Sequence, residues 1–255
     1  MKAFIINLEK DIERKEDIVG QCIAFNLDYT VIPAVDGRKL SEDDLSKLID
    51  PEKSKGMTRG EIGCSLSHYN IYKKIVDDNI EYALILEDDA QLEPNLAKAL
   101  ELVEKNVSDT PTIILLGPIN KHATRNSQRL SDDFKLVNVM EAALSHGYFI
   151  NKSAAKKLIS FLYPIWLEAD RWVFFRDYNI INVKALTPPS ITLSTLSNTS
   201  TIWPTEKELQ QREDIENERS LTLKKIKRER KMMMKIRLFF WRNITRKLVG
   251  VTSND

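Results

Sequence analysis

The chain has 255 residues, 42% of them hydrophobic and 29% charged, enough for one large α/β core with an appendage. No apolar run reaches the ~18 residues of a spanning helix. The apolar start at Phe4–Ile6 is cut short by Asn7, Glu9 and Asp11, which argues against an export signal. The net charge of +1 hides an asymmetry. From Lys224 onward there are 11 Lys/Arg and 2 Asp/Glu, a balance of +9, whereas the rest carries 27 against 35, or −8. An acidic body with a basic tail suits an anionic surface as partner.

In chain order, residues 3–8 read as a buried strand, a short apolar run with β-branched members. Residues 11–26 have helical spacing, with Ile12, Val19, Ile23 and Ala24 on one side. A second strand follows at 29–34, then Asp36-Gly37 with turn chemistry. Ser41 is a good N-cap for a short helix whose first turn holds Glu42, Asp43 and Asp44. Residues 60–78 predict a longer helix. Residues 82–87, apolar up to Leu86, read as a central parallel strand that ends at Glu87-Asp88-Asp89. A helix at 94–106 begins with Pro94, and 112–117 is a further strand. Residues 118–134 are polar and read as a loop. Strand material lies in 136–151, a helix at 152–162, and a strand broken by Pro188-Pro189 at 183–194. Alternating strands and helices argue for an α/β layered domain with a mostly parallel sheet. Cys22 and Cys64 read as buried thiols without metal-ligand spacing, fitting a reducing compartment.

The acidic triplet is the strongest chemical signal. Adjacent carboxylates at the end of a buried strand repel one another, and burial raises that cost. Ligands of open parallel sheets bind outside the carboxyl ends of the strands. Continued strand geometry puts Glu87 and Asp89 on one side and Asp88 on the other. A hard divalent cation takes such oxygens together with substrate phosphates. Nucleotide-sugar transfer, phosphotransfer and a response-regulator-like pocket all fit the triplet alone, and a solvated turn is the non-functional alternative.

Ordered blocks narrow this. Ile5-Ile6-Asn7-Leu8-Glu9-Lys10 with Arg14-Lys15, then Ile32-Pro33-Ala34-Val35-Asp36-Gly37, then Thr58-Arg59-Gly60-Glu61-Ile62-Gly63-Cys64-Ser65-Leu66-Ser67-His68, then Leu84-Ile85-Leu86-Glu87-Asp88-Asp89 stand in sequence. A weaker block joins Gly147-Tyr148-Phe149-Ile150 to Ala154-Ala155-Lys156-Lys157-Leu158. With these blocks the chain resembles glycosyltransferase family 25, the bacterial lipooligosaccharide galactosyltransferases and their relatives, over about residues 3–195. The resemblance implies a GT-A-type, Rossmann-like domain with a D-x-D-like metal motif. It implies UDP-galactose or a related UDP-hexose as donor, and inversion at the anomeric carbon. This chain has Glu rather than Asp at the first position of the motif.

On that footing Glu87 and Asp89, with His146 as a further candidate, are the expected ligands of manganese (Mn2+) or magnesium. Asn7, Leu8 and Arg14 are expected near the nucleotide, Arg14 as a phosphate clamp or as a surface charge paired with Asp11 or Glu16. Ala34 and Asp36 fit a uridine pocket. Gly60, Gly63, Ser67, His68 and Asp88 complete the donor side, the amides at the helix start favouring phosphate. Inverting transfer needs a base for the acceptor hydroxyl. Asp170 is the choice and Glu168 the competitor, with Trp166 and Trp172 stacking on sugar and desolvating the carboxylate. In the alternative, those tryptophans are core and Asp170 caps a helix at 171–175.

Residues 1–203 are expected to form the catalytic domain and 204–255 a helical, basic, amphipathic tail. Basic residues there alternate with Met232–Met234, Ile236, Leu238–Trp241 and Leu248. That pattern suits the anionic inner face of the cytoplasmic membrane, where a lipid-linked oligosaccharide acceptor sits. Packing on the catalytic domain or on a second subunit are the other readings, and no nucleic-acid module is evident. A non-catalytic nucleotide-sugar or glycan binder, and an adaptor acting through its tail, compete with the enzyme reading.

Overall fold

The computed structural model describes residues 1–196 and 210–253; the expected boundary near 200–205 lies outside the described residues. Strand β1 (Lys2–Asn7) pairs in parallel with β2 (Asp28–Pro33) on one side and β3 (Tyr82–Glu87) on the other. Helix α1 (Ile12–Ala24) links β1 to β2. Helices α2 (Glu42–Leu48) and α3 (Arg59–Asp77) precede β3, each opened by a capping box, Ser41 with Asp44 and Thr58 with Glu61. These reciprocal bonds satisfy orphan amides that otherwise lack intrahelical partners.

Beyond β3, a two-stranded ribbon joins β4 (Ala90–Leu92) to β11 (Ile191–Leu193), and α4 (Leu96–Asn106) leads to β5 (Thr112–Leu115). Asn95 precedes α4, so Pro94 lies outside the helix rather than in its first turn. Segment 118–134, expected as a loop, contributes β6 (Lys121–Ala123) and β7 (Gln128–Arg129), both held by β8 (Lys135–Glu141). A polar segment becomes strand there because a neighbour supplies ladder partners, a tertiary effect that outweighs propensity. β9 (Gly147–Asn151) runs antiparallel between β3 and β5. α5 (Lys152–Leu162), α6 (Trp172–Asp177) and β10 (Asn182–Thr187) follow, β10 lying parallel to β5.

The result is a mixed, Rossmann-like sheet in the order β12-β6-β8-β10-β5-β9-β3-β1-β2, where β12 is Val251–Ser253. Alternation along β1 supplies both faces. Phe4 and Ile6 meet Leu66, Tyr72 and Ile75 of α3, while Ala3 and Ile5 join Ile18, Leu96 and Val103 of the opposite layer. A sheet covered on both faces needs near-continuous apolar strands, and each such large side chain contributes ~1.5–3 kcal/mol on burial. The face of α1 differs from expectation: Ile12 and Ile23 are exposed, and Arg14, Ile18 and Cys22 are buried. The i, i+4, i+8 stripe turns inward because Arg14 has ionic partners beneath it.

The basic tail is built into the body. Helix α7 (Arg212–Arg228) buries Arg219, Thr222, Leu223 and Ile226. Leu223 and Ile226 join the main core, and β12 pairs antiparallel with β6. Helix α8 (Met232–Phe240) buries Leu238 but leaves Met232, Met233, Phe239 and Phe240 exposed. Among the described residues, no helix is long and apolar enough to cross a membrane.

Candidate active site

The carboxyl ends of β1 and β3 lie side by side, with Ile6 opposite Glu87 in the register. That adjacency brings Asn7, Arg14 and the acidic triplet together. Asn7 Nδ2 donates to Asp88 Oδ2 at 2.7 Å. Arg14 Nη2 reaches Asp88 Oδ1 at 2.5 Å and Asp89 Oδ2 at 3.0 Å. Arg14 therefore pairs with the triplet, not with Asp11 or Glu16, and its buried guanidinium offsets part of the like-charge repulsion. Burial pushes Asp88 up to about 6 against the pull of Arg14. Burial and then the Glu87 charge push Asp89 up to about 7.

Glu87 faces α3. Its Oε1 accepts from Ser145 Oγ and lies 3.3 Å from His68 Nε2. His68 Nδ1 in turn meets Tyr148 Oη at 2.7 Å, and Tyr148 meets Tyr72 at 2.9 Å. The network assigns the Nε2 proton to the Glu87 bond and makes Nδ1 an acceptor of the Tyr148 hydroxyl. Burial raises Glu87, but the hydrogen bonds from His68 and Ser145 outweigh it and leave the carboxylate below its usual range. His68 is thus buried behind Glu87 as its orienting partner.

The donor-side residues form a wall. Leu8, Arg14, Ala34, Asp36, Gly60 and Asp88 border one cavity. Ser67 borders the same cavity, and Gly63 acts behind it. Ser67 Oγ donates to Gly63 O at 2.7 Å and accepts from Val35 N at 2.8 Å. A Cβ on Gly63 would sit 2.4 Å from Val35 O, and one on Gly37 would sit 1.8 Å from Arg59 O. Both glycines let the 34–37 turn lie against the first turn of α3, which sets where the wall stands.

Glu87, Asp89, His146, Glu168 and Asp170 border an adjoining cavity of about 300 Å³. Asp89 Oδ1 and both ring nitrogens of His146 are buried without hydrogen-bond partners. Burial lowers the pKa of His146, favouring its neutral, ligating form. Glu87, Asp89 and His146 border this cavity with the oxygen and nitrogen donors that a hard divalent cation such as manganese takes, although among the described residues it is Cys64, His68 and Glu87 whose ligand atoms lie within 4.8 Å of one another.

Asp170 and Glu168 have opposite surroundings. Burial raises Asp170, opposed by the Leu144 amide, which donates to its Oδ2 at 3.3 Å. Leu144 holds a left-handed backbone, φ 74, and its carbonyl accepts from Trp172 Nε1 at 2.9 Å, so the turn that meets Asp170 is strained at Leu144 and tethered through both its amide and its carbonyl. Glu168 accepts from Arg219 Nε and Nη2 at 2.8 and 2.7 Å and from Arg171 Nη2 at 2.7 Å. Burial pushes Glu168 up, but the two arginines bring it down to about 2. A carboxylate so held is a poor proton acceptor at neutral pH; its part is to anchor the segment that carries Asp170.

Trp166 and Trp172 do not stack on sugar, because both are core residues. Trp172 meets Tyr148 edge-on at 5.2 Å. Nor does Asp170 cap the following helix by its side chain: α6 starts after Arg171, without a side-chain cap. Sequence reasoning missed Ser145, Tyr148 as support for His68, Arg219, and the proximity of Cys64 to His68 and Glu87. The four-residue interval Cys64–His68 on α3 was the available signal for the last, since i and i+4 share a helix face.

Residues 1–173 match the family model described as glycosyltransferase family 25 (LPS biosynthesis protein). Procollagen galactosyltransferase 2 of Homo sapiens is 30% identical over 176 residues, covering 62% of this chain and 27% of that protein. A glycosyltransferase 25 family member of Aedes aegypti is 43% identical over 171 residues, covering 61% and 27%. The chain thus spans about a quarter of the length of these curated relatives. Among solved structures, a glycosyltransferase involved in the glycosylation of the major capsid of PBCV-1 shares 10% identity at a TM-score of 0.40. It covers 76% of this chain and 94% of its own, a likeness too distant to bear on function.

Proposed function

We propose, from the premise that this chain belongs to glycosyltransferase family 25, that it transfers a hexose, galactose first among candidates, from a UDP-sugar to a hydroxyl of a lipooligosaccharide or lipopolysaccharide acceptor. The observation that carries the reading is the convergence of Glu87, Asp89, His146 and Asp170 on one cavity beside the wall formed by Leu8, Ala34 and Asp36. The galactosyltransferase names of relatives and the family's description support the sugar and the acceptor class.

In this reading Asp36 and Ala34 hold the uridine, and Arg14 keeps the triplet in place. Glu87, Asp89 and His146 would hold manganese or magnesium, which supplies charge neutralisation for the departing diphosphate. His68 and Ser145 fix the Glu87 carboxylate. Asp170 takes the proton of the acceptor hydroxyl as that oxygen attacks the anomeric carbon. The bond to UDP breaks on the opposite face, inverting the centre. A carboxyl raised by burial accepts a proton more readily than an exposed one. The exposed Phe239, Phe240, Met232 and Met233, interleaved with Lys231, Lys235 and Arg237, would rest on the anionic cytoplasmic membrane face that presents the acceptor.

The test is UDP release by purified protein from UDP-galactose, UDP-glucose and UDP-N-acetylhexosamines, with and without manganese. Release from one donor that requires manganese and disappears in Asp89→Ala supports the reading. Absence of both release and calorimetric binding with every donor refutes it and leaves the adaptor alternative; binding without turnover, with acceptor glycan present, identifies a non-catalytic binder.

A further inference from the structure

Cys64 and His68 are four residues apart on α3, so their side chains share one face of the helix. Glu87, at the end of β3, meets that face. One thiol sulfur, one imidazole nitrogen and one carboxylate oxygen lie within 4.8 Å of one another. Tetrahedral zinc with bond lengths of ~2.0–2.3 Å separates its ligands by about 3.3–3.8 Å, so the three groups need close by little more than about 1 Å. The surroundings suit a metal. His68 Nδ1 is bonded to Tyr148 Oη, itself bonded to Tyr72 Oη; with the ring proton moved from Nε2 to Nδ1, His68 donates to Tyr148 Oη, the kind of outer-shell contact that fixes a ligating imidazole and frees Nε2 for the ion. Cys64 and Glu87 both border the two site cavities, which give entry and a fourth position for water.

We infer that Cys64, His68 and Glu87 form a second metal site, for a thiophilic divalent cation of the zinc type, and that its occupation blocks the neighbouring oxygen-rich site because both need Glu87. The donor sets differ in kind. Sulfur with imidazole and one carboxylate selects zinc or cobalt, whereas Asp89, Glu87 and His146 present the harder set. Zinc outranks manganese on almost any nitrogen or sulfur site, so a modest excess of zinc diverts Glu87. On binding, the Cys64 sulfur–hydrogen bond breaks, its proton passes to solvent and the thiolate forms the metal–sulfur bond, while His68 gives up its Nε2 proton and takes one at Nδ1, so that the Nε2 lone pair forms the metal–nitrogen bond. The inhibitory consequence rests on the transferase reading; the binding does not.

Cobalt(II) titration of the full chain is the test, because a cobalt–thiolate bond gives a charge-transfer absorption in the near ultraviolet. Wild type and Cys22→Ser are expected to show this band at one cobalt per chain, displaced by zinc, and Cys64→Ser to lack it. Zinc inhibition of UDP release, each protein scaled to its own zinc-free rate, is expected to weaken about tenfold or more in Cys64→Ser, at least the effect of losing an outer-shell contact. No thiolate band in wild type at saturating cobalt, or a band that survives in a folded Cys64→Ser protein, overturns the site. A wild-type band with zinc sensitivity unchanged in Cys64→Ser overturns the inhibitory role. The band needs no sugar donor, so a protein that binds cobalt this way but transfers nothing refutes only the transferase reading.

Discussion

Replacing Arg219 with Met is expected to destabilise the protein by about 3 kcal/mol. Arg219 is buried, and its guanidinium holds both oxygens of buried Glu168 while donating to Lys53 O at 2.7 Å and Trp166 O at 3.0 Å. Removing one partner of such a pair costs ~3–5 kcal/mol, mostly because the other charge is left buried. Arg171 still reaches Glu168 at 2.7 Å, but its side chain is 40% exposed, which places the loss toward the lower end. A second route sets a ceiling. Glu168 falls from an ordinary 4.5 to about 2 in the fold through Arg219 and Arg171 together, worth about 3 kcal/mol at ~1.4 kcal/mol per pKa unit, of which Arg219 supplies a part. Because the folded pKa is depressed, this stability is fully present above about pH 4.5 and is lost as pH falls toward 2. Urea denaturation followed by tryptophan fluorescence reads both. The wild type should weaken steeply below pH 4.5, and Arg219→Met should show a lower midpoint at pH 7 with a shallower acid slope. Adding Glu168→Gln to Arg219→Met should recover part of the loss, since the buried charge is gone. A loss under about 1 kcal/mol, or acid slopes that coincide, would show that the pair acts like a solvated surface bridge and refute the reasoning.

Asp170→Asn is expected to lower kcat by ~10²–10⁴ with the donor KM little changed, as loss of a general base does; steady-state kinetics with a soluble acceptor decide it. Gly63→Ala puts a Cβ 2.4 Å from Val35 O, a backbone atom that must move. It should cost ~1–3 kcal/mol and weaken donor binding in calorimetry, whereas Gly20→Ala, with open space around it, should not destabilise. Phe239→Ser with Phe240→Ser should abolish co-sedimentation with anionic lipid vesicles while leaving UDP release intact, and binding by the wild type should fall as salt rises. Equal sedimentation of variant and wild type would locate membrane contact elsewhere or nowhere.

The sequence by itself determined the layered α/β class, most of the helices, and the placement of Glu87-Asp88-Asp89 at a strand end, because these follow from short-range rules. Apolar runs of strand length, helical periodicity and the Ser41 cap act within a few residues. Tertiary structure decided everything that needs two distant segments to meet. The reversed β9 between β3 and β5 and the strands within 118–134 depend on ladder partners far away in the chain. Arg14 could be read as a phosphate clamp or a surface charge until the parallel register of β1 and β3 put it against Asp88 and Asp89. The same holds for the two carboxylates near residue 170. Glu168 and Asp170 are two positions apart and chemically alike, yet Arg219, 51 residues on, fixes one as an anion, while burial beside Leu144 raises the other. A pKa is set by what surrounds a group in space, and a sequence lists only what surrounds it along the chain.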